Sequence, residues 1–147
     1  MMHATNQNRR TWIADVGAVA LAAVFLVAAW PKIEEPAAFA LAIYRYQILP
    51  SGLINLAAVY LPWMELITAL LLLAPRFRKG AALLILAMLI LFTIAIALSL
   101  ARGLNIACGC FTTDASAAHS SWFNLLRNGF LLILAGVMAW TAQPREA

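Results

Sequence analysis

Two cysteines, the only two in the chain, are separated by a single glycine in Cys108-Gly109-Cys110. Glycine has no Cβ and tolerates positive φ, so a turn at Gly109 can bring the two sulfur atoms together. A disulfide needs Cα atoms about 4.4 to 6.8 Å apart, which so short a loop meets only as a small, strained ring. Strain makes a disulfide easier to reduce, and a one-residue loop gains little from a cross-link. The pair therefore indicates a reactive dithiol and disulfide couple.

Thiol-disulfide exchange needs an attacking thiolate, a second thiol to resolve the mixed disulfide, and access for a partner. Arg102 and Arg127 flank the cysteines in sequence, and nearby positive charge favours the thiolate. The main alternative is a Cu(I), Zn or Hg(II) site with His119 as a third ligand. Zinc sites usually have four ligands, and no fourth is evident, so we assign no metal site. A third interpretation is two small buried cysteines in a turn.

The composition indicates that this loop belongs to a membrane protein. Apolar residues make up 65% of the chain and charged residues 11%, and the mean hydropathy is +0.88. Soluble domains have about 45 to 50% apolar and about 25% charged residues. A span needs about 20 apolar residues, and four such runs are present. We predict an all-α, four-helix membrane bundle that forms a single membrane domain over 1–147, with spans at about 12–30, 53–74, 81–101 and 122–142.

The connection between the first two spans has a helical pattern of its own at 36–49. It is too short to cross a membrane. Its apolar residues Phe39, Ile43 and Tyr46 recur at intervals of three and four and share one helical face. We predict a short interfacial helix, with an ordinary connecting helix on the bundle as the alternative. We also expect it to lie over the cysteine loop, because both connections emerge on the same face of the bundle.

The second span contains an ionisable residue, Glu65, one turn after Pro62. It lies about 18 Å along the helix from the outer end, and a charge at that depth is a functional hypothesis by default. The alternative is a protonated or paired structural glutamate. We expect a buried carboxylate held by a cation, first Arg127 and next Lys32, although Lys32 at the end of its span can also extend to the headgroups. With Asn128, these residues form a predicted supporting polar cluster.

The loop charges predict an orientation. Six basic residues fall on one side of the membrane and four on the other, and basic loops favour the cytoplasm. Both termini are then cytoplasmic, and the cysteine loop faces the periplasm across a bacterial inner membrane, in an oxidising compartment. Because the basic residues mark the ends of apolar runs, the net charge of +4 does not indicate a nucleic-acid partner. The six basic residues on the predicted cytoplasmic side are Arg9, Arg10, Arg76, Arg78, Lys79 and Arg145.

Several short motifs follow one another along nearly the whole chain. They are Ala28-Ala29-Trp30-Pro31-Lys32, Phe39 through Tyr46, Leu61-Pro62-Trp63-Met64-Glu65, Cys108-Gly109-Cys110-Phe111 and Arg127-Asn128. This succession resembles the MauE branch of the DoxX-like membrane proteins, although Thr112 stands where that pattern often has glycine. The resemblance implies a four-helix membrane bundle with a redox association. The namesake is needed to mature the disulfide-rich small (β) subunit of methylamine dehydrogenase, alongside a thioredoxin-like partner.

We therefore expect an inner-membrane protein whose outward Cys108 and Cys110 exchange electrons with a periplasmic thioredoxin-like protein. The client would be an exported disulfide-containing protein, and lipid is the other partner. Gly109 and Arg102 would support the loop. No haem or flavin motif is evident, and a quinone site is left open. The chain is a candidate thiol-disulfide oxidoreductase; the alternatives are a metal-handling membrane protein and a non-catalytic assembly factor.

Overall fold

A computed structural model describes residues 2–103 and 121–141, with side-chain surroundings described over 12–103 and 123–141. These residues form α-helices joined by short turns. Four helices contain segments long and apolar enough to cross a membrane: Trp12–Glu34, Ser51–Leu73, Arg78–Ala101 and Phe123–Thr141. The predicted all-α membrane bundle with a short helix between its first two spans is confirmed. The helices are α1 (Met2–Glu34), α2 (Pro36–Arg45), α3 (Ser51–Leu73), α4 (Arg78–Ala101) and α5 (Ser121–Thr141).

Prolines mark the starts of α2 and α3. Pro36 opens α2, where its missing N–H costs no helical hydrogen bond, and Pro50 precedes α3. The first span was predicted to end at about residue 30, just before Pro31. Instead α1 continues to Glu34, and the Glu35 amide donates to the Pro31 carbonyl over 3.0 Å. Lys32 therefore lies in the last turn of a helix and not in a loop.

The short helix α2 packs on the first half of α3. Its buried residues Phe39 and Ile43 contact Ile54 and Ala58 of that helix. It ends at Arg45, four residues earlier than predicted, and Gln47 then takes a left-handed φ of 50°. The apolar face predicted for this segment is therefore the face that meets the bundle.

The four long helices enclose a common interior. The helix α1 packs along α3, α4 packs along α5, and contacts of α3 with α4 and of α1 with α5 close the ring. Since each helix crosses the membrane, neighbours in sequence run in opposite directions. An apolar core fills the half of the bundle that contains the first part of α1. Its members are Ala18, Leu21, Ala22, Phe25, Ala69, Leu72, Ala81, Ala82, Ile85, Leu89, Leu131, Ala135 and Met138.

One end of the bundle, here called the basic end, carries the turn between α3 and α4. Arg78 Nη1 there donates to Asp15 Oδ1 of α1 over 2.7 Å, and Arg78 Nε donates to the Leu72 carbonyl over 3.3 Å. The Asp15 side chain is 53% exposed. These contacts bring three helices to one level, which gives a reference for depth elsewhere in the bundle. The opposite end, where α2 lies, is called the α2 end.

Candidate functional site

A buried ion pair joins α1 to α3. The Lys32 ammonium donates to both carboxylate oxygens of Glu65, with Nζ–O distances of 2.7 Å. Lys32 is 1% exposed and Glu65 2%. The carboxylate is thus held by a cation, as expected, but the expected order of partners is corrected: the ion pair forms with Lys32, not with Arg127.

The length of α1 explains the correction. Because α1 continues past Pro31, Lys32 remains on a helix, and helical side chains lean back toward the N-terminus of their helix. The ammonium is therefore directed along the bundle toward the level of Glu65, instead of outward to the headgroups. Pro62, one turn before Glu65, is buried in the interior and removes one backbone donor from α3.

Two aromatic rings complete the surroundings of the ammonium. Lys32 Nζ lies 5.2 Å from the ring centroid of Phe39 on α2 and 5.4 Å from that of Phe92 on α4. Both distances are within the range of about 6 Å over which a cation interacts with a ring face. One ammonium therefore connects α1, α2, α3 and α4.

The ion pair lies deep in the membrane. Lys32 is about 25 Å along α1 from Asp15, and Phe92 is about 21 Å along α4 from Arg78. Both side chains lean back toward the basic end, because both helices begin there. The ammonium is then roughly 15 to 20 Å from the Asp15–Arg78 pair, near the middle of a hydrocarbon core about 30 Å thick.

Two asparagines of α5 also face the interior. Asn124 and Asn128 are one turn apart and 6% and 2% exposed. Met138 lies against Gly17, whose added Cβ would be 2.8 Å from the Met138 Sδ. Measured from this contact toward the α2 end, Asn128 lies about 15 Å along α5 and Lys32 about 22 Å along α1. Each side chain leans toward the N-terminus of its own helix, so the Lys32 side chain leans toward the basic end and that of Asn128 toward the α2 end. Asn128 thus lies near the level of the ion pair.

We call Lys32, Glu65, Thr68, Asn124 and Asn128 the polar layer. Thr68 is buried beside Glu65, and its hydroxyl donates to the Met64 and Glu65 carbonyls of its own helix over 2.7 and 3.1 Å. Three members of the predicted supporting cluster, Lys32, Glu65 and Asn128, therefore lie in this layer. The fourth, Arg127, is half-buried on α5 beside Asn128.

The remaining predicted site residues belong to the segment between α4 and α5. Arg102 is the C-cap residue that follows α4, and its Nη1 donates to the Gln47 carbonyl over 3.2 Å, which links the end of α4 to the turn after α2. Cys108, Gly109 and Cys110 lie outside the described residues, as does His119. Their proposed chemistry and their relation to α2 therefore stay predictions.

Sequence reasoning missed the role of Phe92. The third span has no ionisable residue in its apolar run, so its pattern predicted no site residue. An aromatic residue within a Leu, Ile and Ala run was the one available signal, and it became informative only once the ammonium was placed beside it. Phe39 was predicted to share a helical face with Ile43 and Tyr46, and its ring is buried against the ammonium.

These features define the class of the chain: a multi-pass helical membrane protein with an ion pair buried between its first two spans. Residues 10–141 match the family model of methylamine utilisation protein MauE. The chain belongs to the MauE family. The matched range includes the two cysteines and the whole polar layer.

Similar proteins agree with this assignment. The chain is 35% identical to methylamine utilization protein MauE of Methylophilus methylotrophus, over 88% of this chain and 67% of that protein. It is 36% identical to the protein of the same name from Methylorubrum extorquens and 32% identical to that of Paracoccus denitrificans. These matches cover 77% and 81% of this chain, but 61% and 64% of the relatives. No solved structure matches.

Proposed function

We propose that this protein serves methylamine utilisation as an inner-membrane thiol-disulfide exchange protein. Its Cys108 and Cys110 would react with a periplasmic thioredoxin-like partner during maturation of an exported disulfide-containing protein. The observation that carries the proposal is the family match over 10–141, which spans both cysteines, together with relatives named for methylamine utilization. The client favoured by the resemblance is the small (β) subunit of methylamine dehydrogenase.

The proposed chemistry is a reversible exchange. A thiolate of one protein attacks the disulfide of the other, and a mixed disulfide forms. The second thiol of the attacking protein then bonds to the first and releases the partner's thiol. One S–S bond breaks in one protein and one forms in the other. Two electrons and two protons pass from the protein that gains the disulfide to the protein that loses it. Cys108 and Cys110 supply both the attacking and the resolving thiol.

The attachment of α2 supports a role in controlling access to the cysteines. At its first half, Phe39 is held against the Lys32 ammonium; beyond its last residue, the Gln47 carbonyl accepts a hydrogen bond from Arg102. Arg102 lies six residues before Cys108 in the chain. In this proposal α2 shields the cysteine pair from small thiols while admitting a protein partner.

The proposed orientation places the basic end in the cytoplasm. The turn between α3 and α4 carries Arg76, Arg78 and Lys79, and Arg78 pairs with Asp15 near the start of the first span. Basic loops are retained on the cytoplasmic side. The α2 end and the cysteine segment would then face the periplasm, where disulfides persist.

Labelling tests the redox state and the orientation together. In intact spheroplasts, a membrane-impermeant maleimide should label Cys108 and Cys110 only after mild reduction. The matched control is Lys79→Cys in a Cys108→Ser, Cys110→Ser background, which should be labelled only after permeabilisation. Labelling of the native cysteines confined to inside-out vesicles contradicts the orientation, and full labelling without reduction contradicts the disulfide.

Trapping tests the partner. If one cysteine attacks and the other resolves, either Cys108→Ser or Cys110→Ser should accumulate a mixed disulfide with the thioredoxin-like protein. The complex should disappear on reduction and should be absent from the double variant. Failure of both single variants to capture the partner, with normal membrane levels of the protein, argues against direct exchange.

A further inference from the structure

The turn between α3 and α4 carries two cations without an ionic partner in the described part of the chain. Residues 74–77 alone separate the two helices, and the side chains of Arg76 and Lys79 are exposed. Arg78 differs from them, because it pairs with Asp15 and its side chain is 12% exposed. Neither Arg76 nor Lys79 forms an ion pair with a residue that the structure describes. The turn therefore has an excess positive charge that another molecule can neutralise.

This turn lies at the membrane surface. It joins two helices that are each long and apolar enough to cross the membrane, and four residues are too few to extend far into the solvent. Trp12 marks the same level on α1: it is 70% exposed and lies about 4.5 Å along the helix from Asp15. Tryptophans are enriched where the hydrocarbon meets the headgroups. Arg76 and Lys79 therefore lie at the level of the lipid headgroups, whichever side of the membrane the turn faces.

An exposed aromatic ring accompanies the two cations. Phe77 is 54% exposed, and the Arg76 Cζ atom lies 6.0 Å from its ring centroid. A free anion in solution would neutralise the cations but would leave this ring without an apolar contact. A phospholipid offers both, because its phosphate lies directly above its acyl chains. The charge and the ring together favour a lipid of the surrounding bilayer over a free phosphate.

We propose that this turn binds the headgroup of an anionic phospholipid, with Arg76 and Lys79 at the phosphate and Phe77 against the upper part of the acyl chains. Anionic lipids attract basic residues next to a span, whereas the cationic group of a zwitterionic lipid offsets its own phosphate. The lipid then supplies the negative charge that Arg76 and Lys79 do not receive from a described side chain. The site contains neither Cys108 nor Cys110, so it goes beyond the proposed function and does not depend on it.

Binding is tested with the full chain in neutral detergent, titrated with phosphatidylglycerol or phosphatidylcholine, and the lipid-bound fraction is measured by native mass spectrometry. The wild type should bind one phosphatidylglycerol more tightly than phosphatidylcholine. One basic residue near an anionic lipid surface contributes a factor of about 5 in affinity. Arg76→Gln and Lys79→Gln should therefore each weaken the binding of phosphatidylglycerol about 5-fold and leave that of phosphatidylcholine unchanged.

Arg45→Gln is the matched control for these two variants. Arg45 is an exposed cation on α2, at the opposite end of the bundle. The variant makes the same change of charge away from the turn, so it should bind phosphatidylglycerol as the wild type does. Because all three side chains are exposed, thermal unfolding of the three variants should match the wild type, which separates lost binding from lost folding.

Inorganic phosphate distinguishes the lipid from a free anion. An excess of phosphate at constant ionic strength should not displace phosphatidylglycerol, and displacement would mean that the turn binds phosphate in general, which overturns the lipid. Equal affinity of the wild type for the two lipids also overturns the site, as do equal losses in Arg76→Gln, Lys79→Gln and Arg45→Gln. These outcomes leave partner trapping untouched, and failed trapping with intact lipid binding rejects only the proposed function.

Discussion

Two ion pairs among the described residues have the same length and opposite surroundings. Asp15–Arg78 and Lys32–Glu65 both measure 2.7 Å, yet the Asp15 side chain is 53% exposed and that of Glu65 only 3%. The exposed pair lies at the basic end, above a core of Ala, Leu, Ile, Phe and Met. The buried pair lies in the polar layer toward the α2 end. Burial, not distance, therefore distinguishes the two pairs.

The two halves of the bundle have different requirements. Apolar packing is sufficient to hold helices together in the half near the basic end, where Gly17 allows Met138 to approach α1 closely. Charged side chains at mid-membrane are expensive and usually functional. Packing alone does not require a layer containing a lysine, a glutamate and two asparagines, and a functional role for the α2 half stays a prediction.

The largest effect is expected when one member of the buried pair is removed. Glu65→Gln leaves the Lys32 ammonium without its carboxylate, and breaking a buried pair costs about 3 to 5 kcal/mol. The free energy of unfolding in mixed micelles should fall by this amount. The double variant Lys32→Met, Glu65→Leu should recover most of the loss, because no charge is left unpaired. A wild-type stability for Glu65→Gln would show that the pair is not an anion held by a cation.

This pair also shows how far sequence reasoning could go. The depth of Glu65 along its helix is readable from hydropathy and helix rise, and so is the need for a partner. The identity of that partner depends on the register between α1 and α3. The first span was predicted to end at about residue 30, and a lysine at a span end commonly extends to the headgroups. Because the sequence does not give the register between α1 and α3, Arg127 was expected as the partner ahead of Lys32.

The spans and the buried face of α2 were predictable for a simpler reason. A membrane requires long apolar runs, and helical periodicity requires Phe39 and Ile43 to share a face. The contact of Phe92 with the same ammonium depends on helix packing across the interior, and no local pattern specifies it. Local chemistry thus predicted the elements, while tertiary packing decided the site.

A smaller effect is expected at the aromatic contact that connects α2 to the buried pair. Phe39→Leu keeps an apolar side chain but removes the cation–π interaction, which contributes about 1 to 2 kcal/mol when desolvated. If α2 shields the cysteines, the rate of disulfide reduction by glutathione should rise. Tyr44→Leu on the exposed face of the same helix is the matched control and should leave the rate unchanged. Equal rates in both variants would mean that α2 is only a connection.

In the apolar half, the close approach of α1 and α5 predicts an effect of about 1 kcal/mol. A Cβ at Gly17 would lie 2.8 Å from Met138 Sδ, so Gly17→Ala requires the methionine to shift. This shift offsets the gain in helix propensity, and Gly17→Ala should be less stable than Gly136→Ala. Gly136→Ala adds a methyl group that meets nothing within 4 Å of its Cβ, and it should be neutral or slightly stabilising. Thermal unfolding of both variants in one detergent compares them. The opposite order would contradict the packing of these helices.

The smallest effect is expected at the exposed pair. Asp15→Asn removes a surface ion pair, which is worth about 0 to 1 kcal/mol and is screened by salt. The difference from the wild type should shrink as the salt concentration rises from about 0.01 to about 1 M. A loss as large as that of Glu65→Gln, or one independent of salt, would remove the contrast between the two pairs.

Growth on methylamine tests the central claim most directly. A host that lacks its own copy of this gene is complemented with the wild type or with Cys108→Ser, Cys110→Ser, at equal membrane abundance, and the growth rate on methylamine as sole carbon source is measured. The account predicts that the cysteine variant fails to restore growth, with normal growth on a substrate that does not need methylamine dehydrogenase. Wild-type growth on methylamine without the two cysteines would contradict it.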